Sequence, residues 1–112
     1  ESKLDASKRR LHLLVEEDIT STHVLDLKAA FHKILESTSE ADWSALYLDL
    51  RNCKLIDSKG LNWLFAENLR LKEMEKTFVV RISSPAIHRV MQFAGFDKQV
   101  VLKYRRRKQF RD

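Results

Sequence analysis

The residues best suited to chemistry lie at 57–60, where Asp57, Ser58, Lys59 and Gly60 precede a long segment of helical pattern. An oxygen of Asp57 or Ser58 can accept hydrogen bonds from the free N–H groups of a first helical turn. Ser58 would then lie at a helix N-terminus, where a phosphate on its hydroxyl is favoured by free amides and the helix dipole. Local chemistry alone favours the plainer interpretation, in which the segment is only a helix cap.

The sequence predicts no catalytic, metal or cofactor site. Gly60 and Gly95 are the only glycines, so a glycine-rich phosphate loop is not expected, and the four histidines show no ligand spacing. Asp57 and Ser58 are chain neighbours, which does not give a base–nucleophile geometry. Cys53 is the only cysteine. It is predicted to be a structural thiol in a reducing, cytoplasmic environment.

The net charge of +5 is concentrated in the last ten residues. Residues 103–112 hold six basic side chains against one acidic, and residues 1–102 hold fifteen of each. A neutral body argues against a nucleic-acid-binding fold. The tail could contact anionic lipid or nucleic acid, although a solvated terminal run is favoured. No apolar run approaches the roughly 20 residues that span a membrane, so no membrane insertion is expected.

Apolar and β-branched runs predict strands at intervals along the chain. Four are predicted, at 11–19, 45–50, 77–82 and 100–102. Residues 1–10 are predicted to be a loose segment or to hold a short edge strand near 3–5. Residues 11–102 then form one domain, and residues 103–112 form a basic C-terminal tail. Because the chain begins without Met, we expect a processed chain or a piece of a larger protein.

Segments of helical periodicity separate these strands. The first helix is predicted to follow a cap at Ser21 or Thr22. The second is predicted to start after Ser58, with Trp63 and Leu69 widening its buried face.

The third helix has clear start and stop signals. Ser84 and Pro85 are a typical cap and first-turn pair, and Gly95 is placed to end the helix in a left-handed conformation. Its apolar face is predicted to consist of Ile87, Val90, Met91 and Ala94. The alternation of strands and helices predicts an α/β fold, with a mixed, mostly parallel sheet of about four to five strands backed by helices.

Three stretches resemble one family of small α/β domains. Residues 48–64, LDLRNCKLIDSKGLNWL, contain an Ile-Asp-Ser-x-Gly-Leu motif between a strand and a leucine-rich helix. Residues 82–97, ISSPAIHRVMQFAGFD, join a Ser-Pro helix start to a Gly-Phe-Asp end, and residues 14–20 are similar to the family's first strand. In this order they resemble the STAS domain (sulfate transporter and anti-sigma factor antagonist) over about residues 11–102.

The resemblance implies a bacterial regulatory domain that binds proteins and is not an enzyme. In the regulators that it resembles, the serine corresponding to Ser58 is phosphorylated by a serine/threonine kinase that is itself an anti-sigma factor. The unphosphorylated domain binds this kinase, the phosphorylated domain releases it, and a serine phosphatase removes the phosphate. The resemblance therefore implies an anti-sigma factor antagonist whose partner-binding residues are Asp18, Asp57, Ser58, Lys59, Gly60 and Asn62.

Lys59 departs from the family pattern, which usually has Ser or Thr beside the phosphorylated serine. An ammonium group there could pair with a phosphate on Ser58 or hinder a docking kinase. An enzymatic role stays open as a rival, as do two further alternatives: a STAS domain of an anion (sulfate-type) transporter, and one of a lipid-transport ATP-binding cassette complex. In either case the domain would belong to a membrane assembly without entering the membrane itself.

Overall fold

The structure is a computed structural model that describes residues 2–105. Within them it has five strands and three α-helices, in the order β1 (Ser2–Asp5), β2 (Arg10–Leu14), α1 (Val24–Ser37), β3 (Ala45–Leu50), α2 (Ser58–Glu73), β4 (Thr77–Ile82), α3 (Pro85–Phe93) and β5 (Val101–Tyr104). Short 3₁₀ turns occupy Glu40–Asp42 and Phe96–Lys98. No helix in this part of the chain is long and apolar enough to cross a membrane.

The five strands form one sheet in the order β1-β2-β3-β4-β5. The β1–β2 pair is antiparallel, and the other three pairs are parallel. The predicted α/β fold, with a mixed and mostly parallel sheet, is therefore confirmed. The basic tail predicted at 103–112 lies outside the described residues from position 106 onward, while Lys103 and Tyr104 belong to β5.

The parallel strands follow chain order across the sheet, which determines where the helices lie. Parallel crossovers are right-handed with few exceptions. Because each crossover moves one strand further in the same direction, α1, α2 and α3 are all placed on one face of the sheet. That face is the core, with Leu46, Leu48, Val80 and Ile82 among its fully buried side chains. Within residues 2–105, no helix covers the opposite face.

The middle of the sheet agrees most closely with the sequence. Strands β3 and β4 have the predicted bounds, because their apolar runs are buried on the core face. Strand β2 was predicted to reach Ile19 but ends at Leu14. The chain leaves the sheet through the charged residues 16–18, and Ile19 returns to form a single parallel bridge with Ile56.

Two helix predictions are wrong. Neither Ser21 nor Thr22 caps α1; His23 is the N-cap residue and makes no side-chain capping bond. The Ser21 N–H instead donates to the Asp57 carboxylate at 2.7 Å, so the local chain is held from a distant segment. Leu69 was predicted on the buried face of α2 but is 60% exposed, whereas Trp63 is buried as predicted.

A buried carboxylate joins α1 to α2. Glu67 is 1% exposed, and the Trp63 indole N–H donates to its Oε2 at 2.9 Å. His32 Nε2, from α1, lies 3.4 Å from the same oxygen, and Arg70 Nε lies 3.7 Å from Oε1. Phe31 packs edge-to-face on the Trp63 ring at 5.5 Å. The two helices are therefore connected by both a polar and an aromatic contact.

We predict that Glu67→Ala lowers the free energy of unfolding by about 1–3 kcal/mol, because a buried indole N–H loses its acceptor. Glu67→Gln retains a carbonyl acceptor for Trp63 and is expected to lose clearly less stability. Urea denaturation followed by tryptophan fluorescence measures both. Equal losses in the two variants would show that the Trp63 bond contributes nothing.

Candidate functional site

Asp57 fixes the start of α2. Its backbone is extended, and its Oδ1 accepts from the Gly60 N–H at 2.9 Å, so Asp57 rather than Ser58 is the cap. Its Oδ2 accepts from the Ser21 N–H. These backbone donors, Gly60 first and then Ser21, hold the pKa of the Asp57 carboxyl below its usual value because they stabilise the ionised form. One carboxylate thus connects the start of α2 to the chain before α1.

Ser58 is the first residue of α2 and is exposed. Within residues 2–105 its hydroxyl makes no hydrogen bond. Capping by Asp57 therefore leaves this hydroxyl available to another molecule. Lys59 and Asn62 are also exposed, and Asn62 lies one turn after Ser58 on the same side of the helix.

Gly60 lies against the backbone of Ile19. A Cβ added at Gly60 would lie 2.1 Å from the Ile19 carbonyl oxygen and 2.7 Å from its Cγ2. The same carbonyl accepts from the Asp57 N–H at 3.2 Å, and the Ile19 N–H donates to the Leu55 carbonyl at 3.1 Å. Only glycine fits this close approach. Gly60 is buried and shapes the site without offering exposed contact area.

Asp18 makes a second connection between the same two segments. Its Oδ1 accepts from the backbone N–H groups of Lys54 at 2.8 Å and Leu55 at 3.1 Å. The buried Cys53 thiol donates to the Glu17 carbonyl at 2.8 Å. Burial, followed by the negative charge of Asp18, raises the pKa of Cys53 to about 12. The thiol therefore stays protonated at neutral pH and is structural.

An open groove lies beside Ser58, and the sequence did not predict it. Its volume is about 430 Å³, and it is lined mainly by apolar side chains. They come from the start of α2 and the C-terminal half of α3 with the residues beside them, namely Ile56, Asp57, Ser58, Leu61, Arg89, Val90, Phe93 and Ala94. Phe93 is 96% exposed. The name α2–α3 groove is used for this set below.

The groove corrects the predicted apolar face of α3. Ile87 and Met91 are buried as predicted, but Val90 is 38% exposed and Ala94 is exposed, and both line the groove. Helical spacing cannot separate a side chain that packs on the sheet from one that borders an open groove. The available signal was Phe93, a large apolar residue outside the predicted face.

The structure brings most of the predicted site residues to one region. Asp18 and Asp57 connect the loop before α1 to the loop before α2, and Gly60 packs between them. Ser58 and Lys59 lie at the exposed start of the helix, followed by Asn62. Among residues 2–105, no group of three or more His, Cys, Asp or Glu side chains is arranged to hold a metal ion.

A family model described as "Mlab, STAS domain" matches residues 2–103, from the start of β1 to β5. No curated protein matches the chain.

We predict that Gly60→Ala lowers the free energy of unfolding by about 1–3 kcal/mol, because the new methyl group must displace a backbone carbonyl. Gly95→Ala is the matched control. Gly95 has φ of 76°, and no atom lies within 4 Å of a Cβ added there. Gly95→Ala is therefore expected to lower the free energy of unfolding only through left-handed backbone strain, by about 1 kcal/mol. Amide chemical shifts at Ile19 and Asp57 should change in Gly60→Ala alone. A Gly60→Ala protein with native stability and shifts would contradict the close approach.

Proposed function

The chain belongs to the STAS domain family, and we propose that it is an anti-sigma factor antagonist that phosphorylation at Ser58 switches off. STAS domains are generally non-enzymatic and mediate protein–protein interactions. The partners proposed here are an anti-sigma factor with serine/threonine kinase activity and a serine phosphatase. The observation that carries the proposal is the exposed Ser58 hydroxyl on the rim of an apolar groove.

The α2–α3 groove has the composition of a protein-docking site. An exposed aromatic side chain in an apolar surface is a typical energetic centre of an interface. A partner that covers Phe93 would remove on the order of 150–250 Å² of aromatic surface from water. The polar rim of Asp57, Ser58 and Lys59 would then determine the orientation of the partner.

A phosphate on Ser58 would change this surface by charge. It would add about 1.5–2 negative charges at the N-terminus of α2, next to the Asp57 carboxylate. The helix terminus stabilises that charge in water, and Arg89, which lines the same groove, can pair with it. A docked apolar partner would instead desolvate the phosphate, which is costly. The unphosphorylated form is therefore the binding form.

One observation favours the alternative function. Lys59 is exposed beside Ser58, where a kinase would approach. A STAS domain of an anion transporter or of a lipid-transport ATP-binding cassette complex would need no kinase. In that case the α2–α3 groove would dock permanently on another subunit, and Ser58 would remain unmodified.

We predict that phosphosite mapping of the protein from its native host finds phosphate on Ser58. We also expect Ser58→Asp to weaken binding of the anti-sigma factor kinase by about tenfold or more, since desolvating a charge in the interface costs several kcal/mol. Ser58→Ala should bind like the unmodified protein, as measured by calorimetry. Unmodified Ser58 under all growth and stress conditions, with equal affinity of both variants, would overturn the switch and favour the transporter alternative.

We predict that Phe93→Asp weakens partner binding by about tenfold or more, because interface aromatic residues of this kind contribute about 2 kcal/mol or more. Leu69→Asp is the matched control, because Leu69 is also exposed but lies on α2 outside the α2–α3 groove. Both variants should keep the circular dichroism spectrum of the parent. Equal binding of Phe93→Asp and the parent would place the docking surface elsewhere.

A further inference from the structure

The sheet face opposite the helices carries a concentration of positive charge. Side chains alternate across the strands, so one register row of this face joins Leu14, Asp49, Arg81 and Lys103. A neighbouring row joins His12 to Tyr47. The side chains of Arg10, His12, Tyr47, Asp49, Arg81 and Lys103 are called the open face below.

Three cations of the open face converge on one ring. The distances to the Tyr47 centroid are 4.8 Å for the Arg10 guanidinium carbon, 5.2 Å for that of Arg81 and 5.9 Å for the Lys103 ammonium nitrogen. The His12 ring centroid lies 5.1 Å from it. Tyr47 is only 7% exposed, since the stems of these side chains cover it. Like charges are thus held close together over an aromatic residue.

Acidic side chains do not balance this cluster. Asp49 forms a two-pronged ion pair with Arg51, at 2.9 Å from Nε and 2.7 Å from an Nη atom, so Arg51 offsets most of its charge and the remaining attraction to Arg81 is weaker. Within residues 2–105, no carboxylate oxygen lies within 4.0 Å of the charged nitrogens of Arg10, Arg81 or Lys103. Burial, followed by the positive charges of Arg81 and Arg10, lowers the pKa of His12, as expected in an unbalanced positive field.

The open face leads into a large crevice at the carboxyl ends of β3, β4 and β5. Its volume is about 1320 Å³, and its charged lining consists of four cations and one carboxylate, namely Arg51, Arg81, Lys103, Arg105 and Asp49. Asn52 and Ser83 add polar groups. The crevice is formed by strands and loops and is separate in its lining from the α2–α3 groove.

We propose that this crevice binds a multiply phosphorylated anion, with its phosphate groups bound by Arg81, Lys103 and Arg105. Guanidinium groups bind phosphate through paired N–H donors. Arg81 on β4 is the register partner of Lys103 on β5, and Arg105 follows the end of β5. One ligand with several phosphate groups can therefore reach all three cations. Tyr47 lies beneath cations, so it offers no stacking platform for a nucleobase. The site does not depend on the function proposed for the α2–α3 groove.

Calorimetric titration with inorganic triphosphate and with inorganic monophosphate tests the proposal. Triphosphate should bind at least about tenfold more tightly, because it makes more than one charge-assisted contact. In proton NMR, triphosphate should raise the pKa of His12, because the anion offsets the field of Arg81 and Arg10. Failure of triphosphate to bind, or equal affinity for the two anions, would overturn the proposal.

Arg81→Gln and Lys103→Gln should each weaken triphosphate binding by about tenfold, since each removes one charge-assisted contact. Lys33→Gln, an exposed cation on α1, is the matched control and should bind like the parent. Lys103→Arg should retain binding, which separates a charge effect from a structural one. If an oligoglutamate peptide binds as tightly as triphosphate, the crevice is a site for acidic proteins and the proposal is overturned. If single-stranded RNA binds much more tightly than triphosphate, the crevice is a site for nucleic acid and the proposal is likewise overturned.

Discussion

The order of the parallel strands is the constraint on which the other features depend. Because β2, β3, β4 and β5 follow one another across the sheet without a reversal, right-handed crossovers place α1, α2 and α3 on one side. One face of the sheet is therefore packed on the helices, and the other carries charged side chains around the buried Tyr47 and Val79. Apolar side chains of α3 border a groove on the helical side, while cations gather over Tyr47 on the other. A single hydrophobic core thus supports two chemically different surfaces, the apolar α2–α3 groove and the cationic open face.

The candidate site divides its residues between two tasks. Asp18, Asp57 and Gly60 use their polar groups, or lack of a side chain, to hold two loops together. Ser58 and Lys59 contribute nothing to that packing and face outward. A hydroxyl that is not needed by the fold can be modified without local unfolding. The Asp57 carboxylate, which connects the loop before α1 to the start of α2, fixes the position of the neighbouring Ser58.

The sequence predicted those structural features that depend only on neighbouring residues, such as the two ends of α3. Ser84 accepts from the Ile87 N–H, and Gly95 has the expected left-handed conformation, since both depend only on nearby residues. The start of α1 was not predictable, because Ser21 is positioned by a hydrogen bond from its N–H to Asp57, which is distant in sequence. The neutral charge of residues 1–102 concealed the cations over Tyr47, because composition does not show which strands bring charges together. The exposed Phe93 was missed because periodicity does not show which helix face lacks a neighbour.

The two ends of the sheet affect how copies of this protein meet in solution. An edge strand exposes unpaired backbone groups that can recruit another chain and start aggregation. Both edges here are short, since β1 and β5 have four residues each. Each also carries a lysine, Lys3 or Lys103, whose charge repels the same edge of another copy. The domain can therefore expose an apolar groove beside Phe93 with little tendency to polymerise through its sheet.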